Sequence, residues 1–184
     1  MTTYVQNFLK FQPLLKELIA RDIKVKYRKS VLGVLWTLLN PLFMMIVLSV
    51  VFSNLFKFDV EYFPVYLLSG QLIFNFYSEV TTCSMSAIID NGPLIKKVYV
   101  PKYLYPLSSV LFNYVIFLIS LIVLAIVAVV QGIQPTIYML QIPIALILVL
   151  LLSYGCGMIL ATIGVFFRDM EYLWSVALMI IMYT

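Results

Sequence analysis

From Tyr103 to Phe167 the chain contains no charged residue. A helix needs about 20 apolar residues to cross roughly 30 Å of hydrocarbon, so this stretch holds two crossings. Gln131-Gly132-Ile133-Gln134-Pro135 is the uncharged turn that separates them. Inside a bilayer every backbone polar group must be satisfied internally, which leaves helices or a closed barrel. A barrel would show alternating segments of about 10 residues, and none is seen here. The pattern therefore predicts a pair of membrane helices, with Pro143 marking the true start of the second or a kink in it.

The rest of the chain has the same character. Hydrophobic residues make up 64% and charged ones 11%, against roughly 45–50% and about 25% in an ordinary soluble domain. The expected fold class is all-α: a polytopic helical membrane protein with an N-terminal cytoplasmic interfacial helix over 4–29. Spans are expected at about 31–56, 63–89, 103–130 and 141–167, with the start of a fifth at 172–184. The fifth run stops after 13 residues, so an intact version is expected to continue through further membrane helix. With 184 residues, the bundle is one domain, without room for a separate catalytic module.

Basic residues orient these spans. Of the twelve Lys and Arg, all but Lys57 fall in the N-terminal region, the 90–102 loop or at Arg168. Placing those three regions in the cytoplasm puts the N-terminus inside. The net charge of +4 is then a matter of topology, and no nucleic-acid partner is expected. The opening MTTYVQNFLKFQP lacks the pattern of a removable signal peptide.

Within the N-terminal helix, Lys10, Glu17, Arg21, Lys24 and Arg28 share one face, and Phe8, Phe11, Leu15, Leu18 and Ile19 the other. The pattern fails after Ile19, which predicts a bend or a change of environment near Asp22. The basic face, notably Arg21, Lys24 and Arg28, suits lipid headgroups or the pyrophosphate of a lipid carrier. Pro41 predicts a kink in the first span. The second span carries Glu79, the ionisable residue set deepest in an apolar run. Gln71, Asn75, Ser78, Glu79, Thr82 and Ser86 lie on one side of that helix. A charge at membrane depth costs about 2.5–3.5 kcal/mol or more, so this side should face protein or water. Two uses stay open: the wall of a translocation path, with Phe74, Phe76 and Tyr77 as aromatic surface, or a polar seam between helices.

The third span reads as lipid-facing packing. In the fourth, Ser153, Gly157, Ala161 and Gly164 form a small-residue face for close helix approach, within one subunit or across a dimer. Cys83 and Cys156 sit in apolar runs without metal-ligand spacing and read as inert core residues.

The chain has no histidine, no phosphate-binding loop and no nucleophile motif. It is not expected to act as an enzyme or to bind a cofactor. The loop from Asp90 to Pro106, DNGPLIKKVYVPKYLYP, instead encodes a short helix. Asp90 or Asn91 can cap it, Gly92-Pro93 open it, and Pro101 prevents its continuation. Leu94, Ile95 and Val98 give it an apolar side and Lys96-Lys97 a basic one. Apolar residues in such a loop need cover, either in a groove on a partner or back on the membrane surface.

Four blocks carry a resemblance: RDIKVKYRKSVLGVLW from Arg21 to Trp36, Asn40-Pro41-Leu42, LIKKVYVP from Leu94 to Pro101, and Phe167-Arg168-Asp169. Together they resemble the permease subunits of ABC-2 type ATP-binding-cassette exporters of polysaccharides, the group that includes teichoic-acid and O-antigen exporters. The resemblance implies six spans per subunit, a homodimer and a separate ATPase subunit carrying ATP and Mg. It implies a coupling helix, at about Asn91 to Val98 (Asn91, Pro93, Leu94, Ile95, Lys96, Lys97, Val98), docked in an ATPase groove. The implied cargo is a lipid-linked glycan moved across the bacterial cytoplasmic membrane. A drug or small amphiphile as cargo, or a proton-coupled carrier using Glu79, are the other readings of the same residues.

Overall fold

A computed structural model describes residues 2–28, 30, 32–33, 35–51, 62–97, 100–134 and 136–183, with side chains from Phe11 onward. Among these, all regular structure is helical. The elements are α1 (Thr2–Tyr27), α2 (Leu35–Val51), α3 (Phe63–Asp90), the short α4 (Gly92–Ile95), α5 (Leu104–Val130), a 3-10 turn at Ile137–Gln141, α6 (Ile142–Phe166) and α7 (Met170–Tyr183). The expected outer loop at residues 57–61, and Val98 of the expected coupling helix, lie outside the described residues.

Helix ends follow local chemistry. α3 opens with a proline in its first turn after Tyr62, whose backbone is left-handed at φ 56°. At its end the Asn91 side chain donates back to the Ala87 carbonyl at 2.8 Å. α5 closes in a Schellman motif: Gly132 sits at φ 74°, its N–H reaches the Val129 carbonyl at 3.0 Å, and the Ile133 N–H reaches Ala128 at 3.1 Å. That geometry needs positive φ, which glycine adopts without strain. α6 starts at Ile142 with a proline in its first turn, so the break between the two long apolar helices spans Gln131 to Gln141.

Two helices, residues 104–130 and 137–166 with the preceding turn, are long and apolar enough to cross a membrane. α2 and α7 are shorter apolar helices. α3 has the length, but its Gln, Asn, Ser, Thr and Glu side chains lower its hydropathy.

α3 is the hub. It packs most extensively against α5 and α6, and α2 and α7 flank it. One core cluster joins Leu68, Leu72, Phe76 and Val80 of α3 to Val110, Phe117 and Val123 of α5. This corrects in part the expectation that the third span is lipid-facing: one side of α5 packs on α3, while Val115, Leu118, Ile122, Ile126, Val129 and Val130 are exposed. α5 buries ten residues, among them Ser108, Asn113 and Ser120. A helix that is apolar all round looks the same in sequence whether lipid or protein surrounds it. A second exposed apolar surface lies on α6, at Ile144, Ile147, Leu148, Leu151, Leu152 and Ile159.

The small-residue face of α6 is spent within the chain. Ser153, Gly157, Ala161 and Gly164 are buried. A Cβ on Gly164 would stand 2.7 Å from the Met85 carbonyl oxygen of α3, and one on Gly157 2.9 Å from Ser84 Oγ. This face accordingly serves the α3–α6 contact rather than a dimer.

α1 runs unbroken through Asp22 to Tyr27, so the expected change at that point is one of surroundings and not a break in the helix. Leu15 and Leu18 are buried in a second cluster with Ala87, Val100, Leu104 and Tyr105, and Phe11 and Ile19 pack against it. The apolar face of α1 therefore meets protein rather than headgroups.

Candidate functional site

α1 packs on α5 and closes an ion pair to α3. Lys26 Nζ donates to Glu79 Oε1 at 2.5 Å, and the ammonium stands 5.4 Å over the Phe112 ring of α5. The charged residues after Ile19 break the sequence pattern because Lys26 turns toward this partner. Arg21 binds its neighbour Asp22 at 2.8 Å, and Lys24 and Arg28 are exposed.

The pair borders a cavity of about 480 Å³ between α1, α2, α3 and α5. α1 contributes Lys26 and Tyr27, and α2 contributes Trp36, Thr37, Asn40, Pro41 and Met44. α3 adds Gln71, Leu72, Asn75, Phe76 and Glu79; α5 adds Asn113, Ile116, Phe117 and Ser120; Met182 of α7 completes it. Among the described residues that line the cavity, Lys26 and Glu79 alone are charged. Burial pushes the Tyr27 phenol above its ordinary 10.0, with Lys26 opposing and Glu79 adding to the rise. It is a neutral hydroxyl at physiological pH.

α5 supplies polar groups to which the sequence reading gives no role. Asn113 is 3% exposed, and its Nδ2 donates to the Ser109 carbonyl at 3.0 Å. Ser120 donates to the Thr37 carbonyl of α2 at 3.2 Å. A signal for them exists: Ser109, Asn113 and Ser120 recur at helical spacing on an otherwise apolar segment.

The polar side of α3 is divided rather than continuous. Gln71, Asn75, Glu79 and Phe76 line the first cavity. Ser86 lines a second, of about 400 Å³, with Arg21, Asp22, Cys83, Asp90 and Asn91. Thr82 lines neither. Phe76 is 4% exposed and stacked on Phe117, with ring centroids 4.7 Å apart. Tyr77 points to α7, its ring 6.4 Å from Trp174. Trp174 Nε1 donates to Thr81 Oγ1 at 3.0 Å, tying α7 to α3.

In the loop, the Leu94 and Ile95 amides both bond to the Asn91 carbonyl at 3.0 Å. Leu94 and Ile95 pack against the cluster that Leu15 and Leu18 of α1 form with Ala87, Val100, Leu104 and Tyr105, whereas Lys96 and Lys97 are exposed. The apolar residues of the loop thus have a partner inside the chain.

Residues 13–184 match the family of ABC-2 type transporters. The chain belongs to that family. An O-antigen export system permease protein RfbA of Myxococcus xanthus is 31% identical over 175 residues, 95% of this chain and 67% of the relative. One of Klebsiella pneumoniae is 29% identical over 171 residues, 92% and 66% respectively. A polysialic acid transport protein KpsM of Escherichia coli is 28% identical over 158 residues, 84% and 61%. The chain spans about two thirds of the length of these relatives. The four sequence blocks that carry the resemblance lie within the matched region.

Proposed function

We propose that this chain is the permease subunit of an exporter that moves lipid-linked polysaccharide across the bacterial cytoplasmic membrane. The observation that carries the reading is the cavity between α1, α2, α3 and α5: neutral amides, hydroxyls and aromatic surface, held in membrane helices, in a chain related to O-antigen export permeases. Such a lining suits hydroxyl-rich cargo, because amides exchange hydrogen bonds with hydroxyls at little net cost.

In this reading the N-terminus, the α4 loop and Arg168 face the cytoplasm, and two copies assemble with a separate ATPase that binds ATP and Mg. Exposed Lys96 and Lys97, beside α4, present the basic side of the coupling element to that ATPase. Arg21, Lys24 and Arg28 attend the headgroup or carrier-phosphate layer.

Co-purification of the full-length protein in detergent tests the assembly, with an ATPase subunit expected in the same peak. Export of surface glycan should stop when that ATPase is inactivated and survive Glu79→Gln at reduced rate. Absence of an ATPase partner, or glycan export independent of ATP, overturns the proposal.

A further inference from the structure

The cavity between α1, α2, α3 and α5 has a closed back and an open front. Leu72 and Phe76 of α3 with Asn113 and Phe117 of α5 form the back, each no more than 4% exposed. Lys26, Trp36, Asn40, Asn75 and Glu79 stand at the front, and all are exposed. At this front the backbones of α1 and α3 stay apart. Among the described residues, the Cα trace of α1 comes within 8 Å of α5 and of no other helix. The ion pair of Lys26 with Glu79 is the side-chain bridge across that gap.

Several features make this bridge releasable. Both of its side chains are reached by water, and an accessible pair is weak enough to open and re-form. The other half of α1 has an anchor of its own: Leu15 and Leu18 are buried against Ala87, Val100, Leu104 and Tyr105. From Leu18 to Lys26 the helix rises about 12 Å, so the end that carries Lys26 is a lever beyond that anchor. Under the lever, the second cavity of about 400 Å³ lies between Arg21, Asp22 and Val25 of α1 and Cys83 and Ser86 of α3. α1 is thus held at two points with open space beneath the stretch that joins them. Past its end the chain turns at Gly33, φ 50°, where an added Cβ would meet nothing within 4 Å. That turn has room to follow when the end of α1 moves.

We propose that the C-terminal end of α1 is a strap over the mouth of the first cavity, fastened by Lys26 to Glu79, and that release of the pair widens the mouth to large molecules. The strap goes beyond the export reading and does not depend on what the cargo is. Glu79 acts in it as a positioning residue, because it sets where the end of α1 rests.

The test uses the full-length permease in lipid nanodiscs, with Asn75→Cys in a background otherwise free of cysteine, so that one thiol stands at the front of the cavity. Two uncharged maleimides are compared, one small and one carrying a polyethylene-glycol chain. The quantity read is the ratio of the bulky rate to the small one, in which the effect of nearby charge on the thiol cancels. Glu79→Gln and Lys26→Met, each close to the original in size, should each raise the ratio by roughly two- to fivefold, the shift that loss of one accessible pair allows. Exchanging the partners, Lys26→Glu with Glu79→Lys, should bring it back. With the native pair, raising the salt to about 1 M should raise the ratio reversibly, because salt screens accessible charges. The Glu79→Gln protein should not respond to salt. A ratio unchanged in both single variants overturns the strap, as does a salt response that persists without Glu79. The salt series needs only the native pair and Glu79→Gln, so it decides the matter where an exchanged chain fails to fold. Neither readout involves cargo or ATPase: the strap can fail while the export reading stands, and an absent ATPase partner overturns that reading without touching the strap.

Discussion

Lys26 on α1 and Glu79 on α3, 53 residues apart in sequence, meet with Nζ 2.5 Å from Oε1. The two partners are not equivalent. Without Lys26, a carboxylate is stranded on a membrane helix; without Glu79, the lysine stem can carry its ammonium toward the headgroups. Lys26→Ala should therefore destabilise the protein more than Glu79→Gln. Both side chains are partly accessible, 36% for Lys26 and 47% for Glu79, so the difference should lie near the roughly 0.2–1 kcal/mol of an exposed pair rather than the roughly 2.5–3.5 kcal/mol of an unpaired charge at membrane depth. Adding Glu79→Gln to Lys26→Ala should recover stability. Melting temperatures of the three variants in nanodiscs give the answer, and simple additivity would contradict the pairing.

The division of α3's polar side changes what accessibility labelling should find. Asn75 is exposed and lines the first cavity, whereas Thr82 lines neither. In a background with Cys83 and Cys156 replaced by serine, Asn75→Cys should react with a water-soluble maleimide several-fold faster than Thr82→Cys. Equal rates would restore one continuous polar path along the helix.

What is legible in the sequence is what the bilayer imposes. The long apolar stretch has to become two helices, and Gly132 marks where the first one ends. Side-chain partners across distant segments are not legible: nothing near Lys26 names Glu79. α5 departs in part from its lipid-facing reading because an apolar helix is equally at home in lipid and in a protein core, and only Asn113 and Ser120 betray the second. The side of α3 looks continuous in sequence because helical periodicity fixes direction around an axis. It does not say which neighbouring helix will cover each turn.

Leu94 and Ile95 pack within the chain against the cluster of Leu15, Leu18, Ala87, Val100, Leu104 and Tyr105, and this redirects the expected effect of substitutions in the basic loop. Ile95→Asp places a charge against this apolar cluster and should lower the melting temperature of the isolated permease before any partner is present. Lys96→Ala with Lys97→Ala touches exposed side chains and should leave that temperature unchanged. It should weaken ATPase retention in a pull-down only modestly, since exposed charges contribute little. An unchanged melting temperature for Ile95→Asp would detach Ile95 from that cluster.

The α3–α6 contact depends on the absence of a side chain at Gly164. An added Cβ meets the Met85 backbone carbonyl at 2.7 Å, and backbone cannot swing aside as a side-chain tip can. Gly164→Ala should cost about 1–3 kcal/mol, the range for overpacking. Gly155, where an added Cβ would meet nothing within 4 Å, serves as the control. Gly155→Ala should be neutral or slightly stabilising, because alanine favours the helix by roughly 1 kcal/mol over glycine. Folded yield and melting temperature distinguish the two, and equal tolerance would mean that the helices can separate freely.

Trp174 and Thr81 provide the tie between α7 and the rest of the bundle, through a 3.0 Å bond from the indole N–H to the threonine hydroxyl. Thr81 Oγ1 also lies within bonding distance of the Tyr77 and Ser78 carbonyls, at 2.8 and 3.0 Å, so its proton is engaged and a lone pair is left for the indole. Trp174→Phe removes the donor and keeps most of the ring; Thr81→Val removes the acceptor and keeps the shape. Each should cost about 0.5–1.5 kcal/mol, the net worth of one such bond. The double variant should cost less than the two singles together, by about the energy of the shared bond. Strict additivity in a double-mutant cycle would show that α7 is held by apolar contact alone.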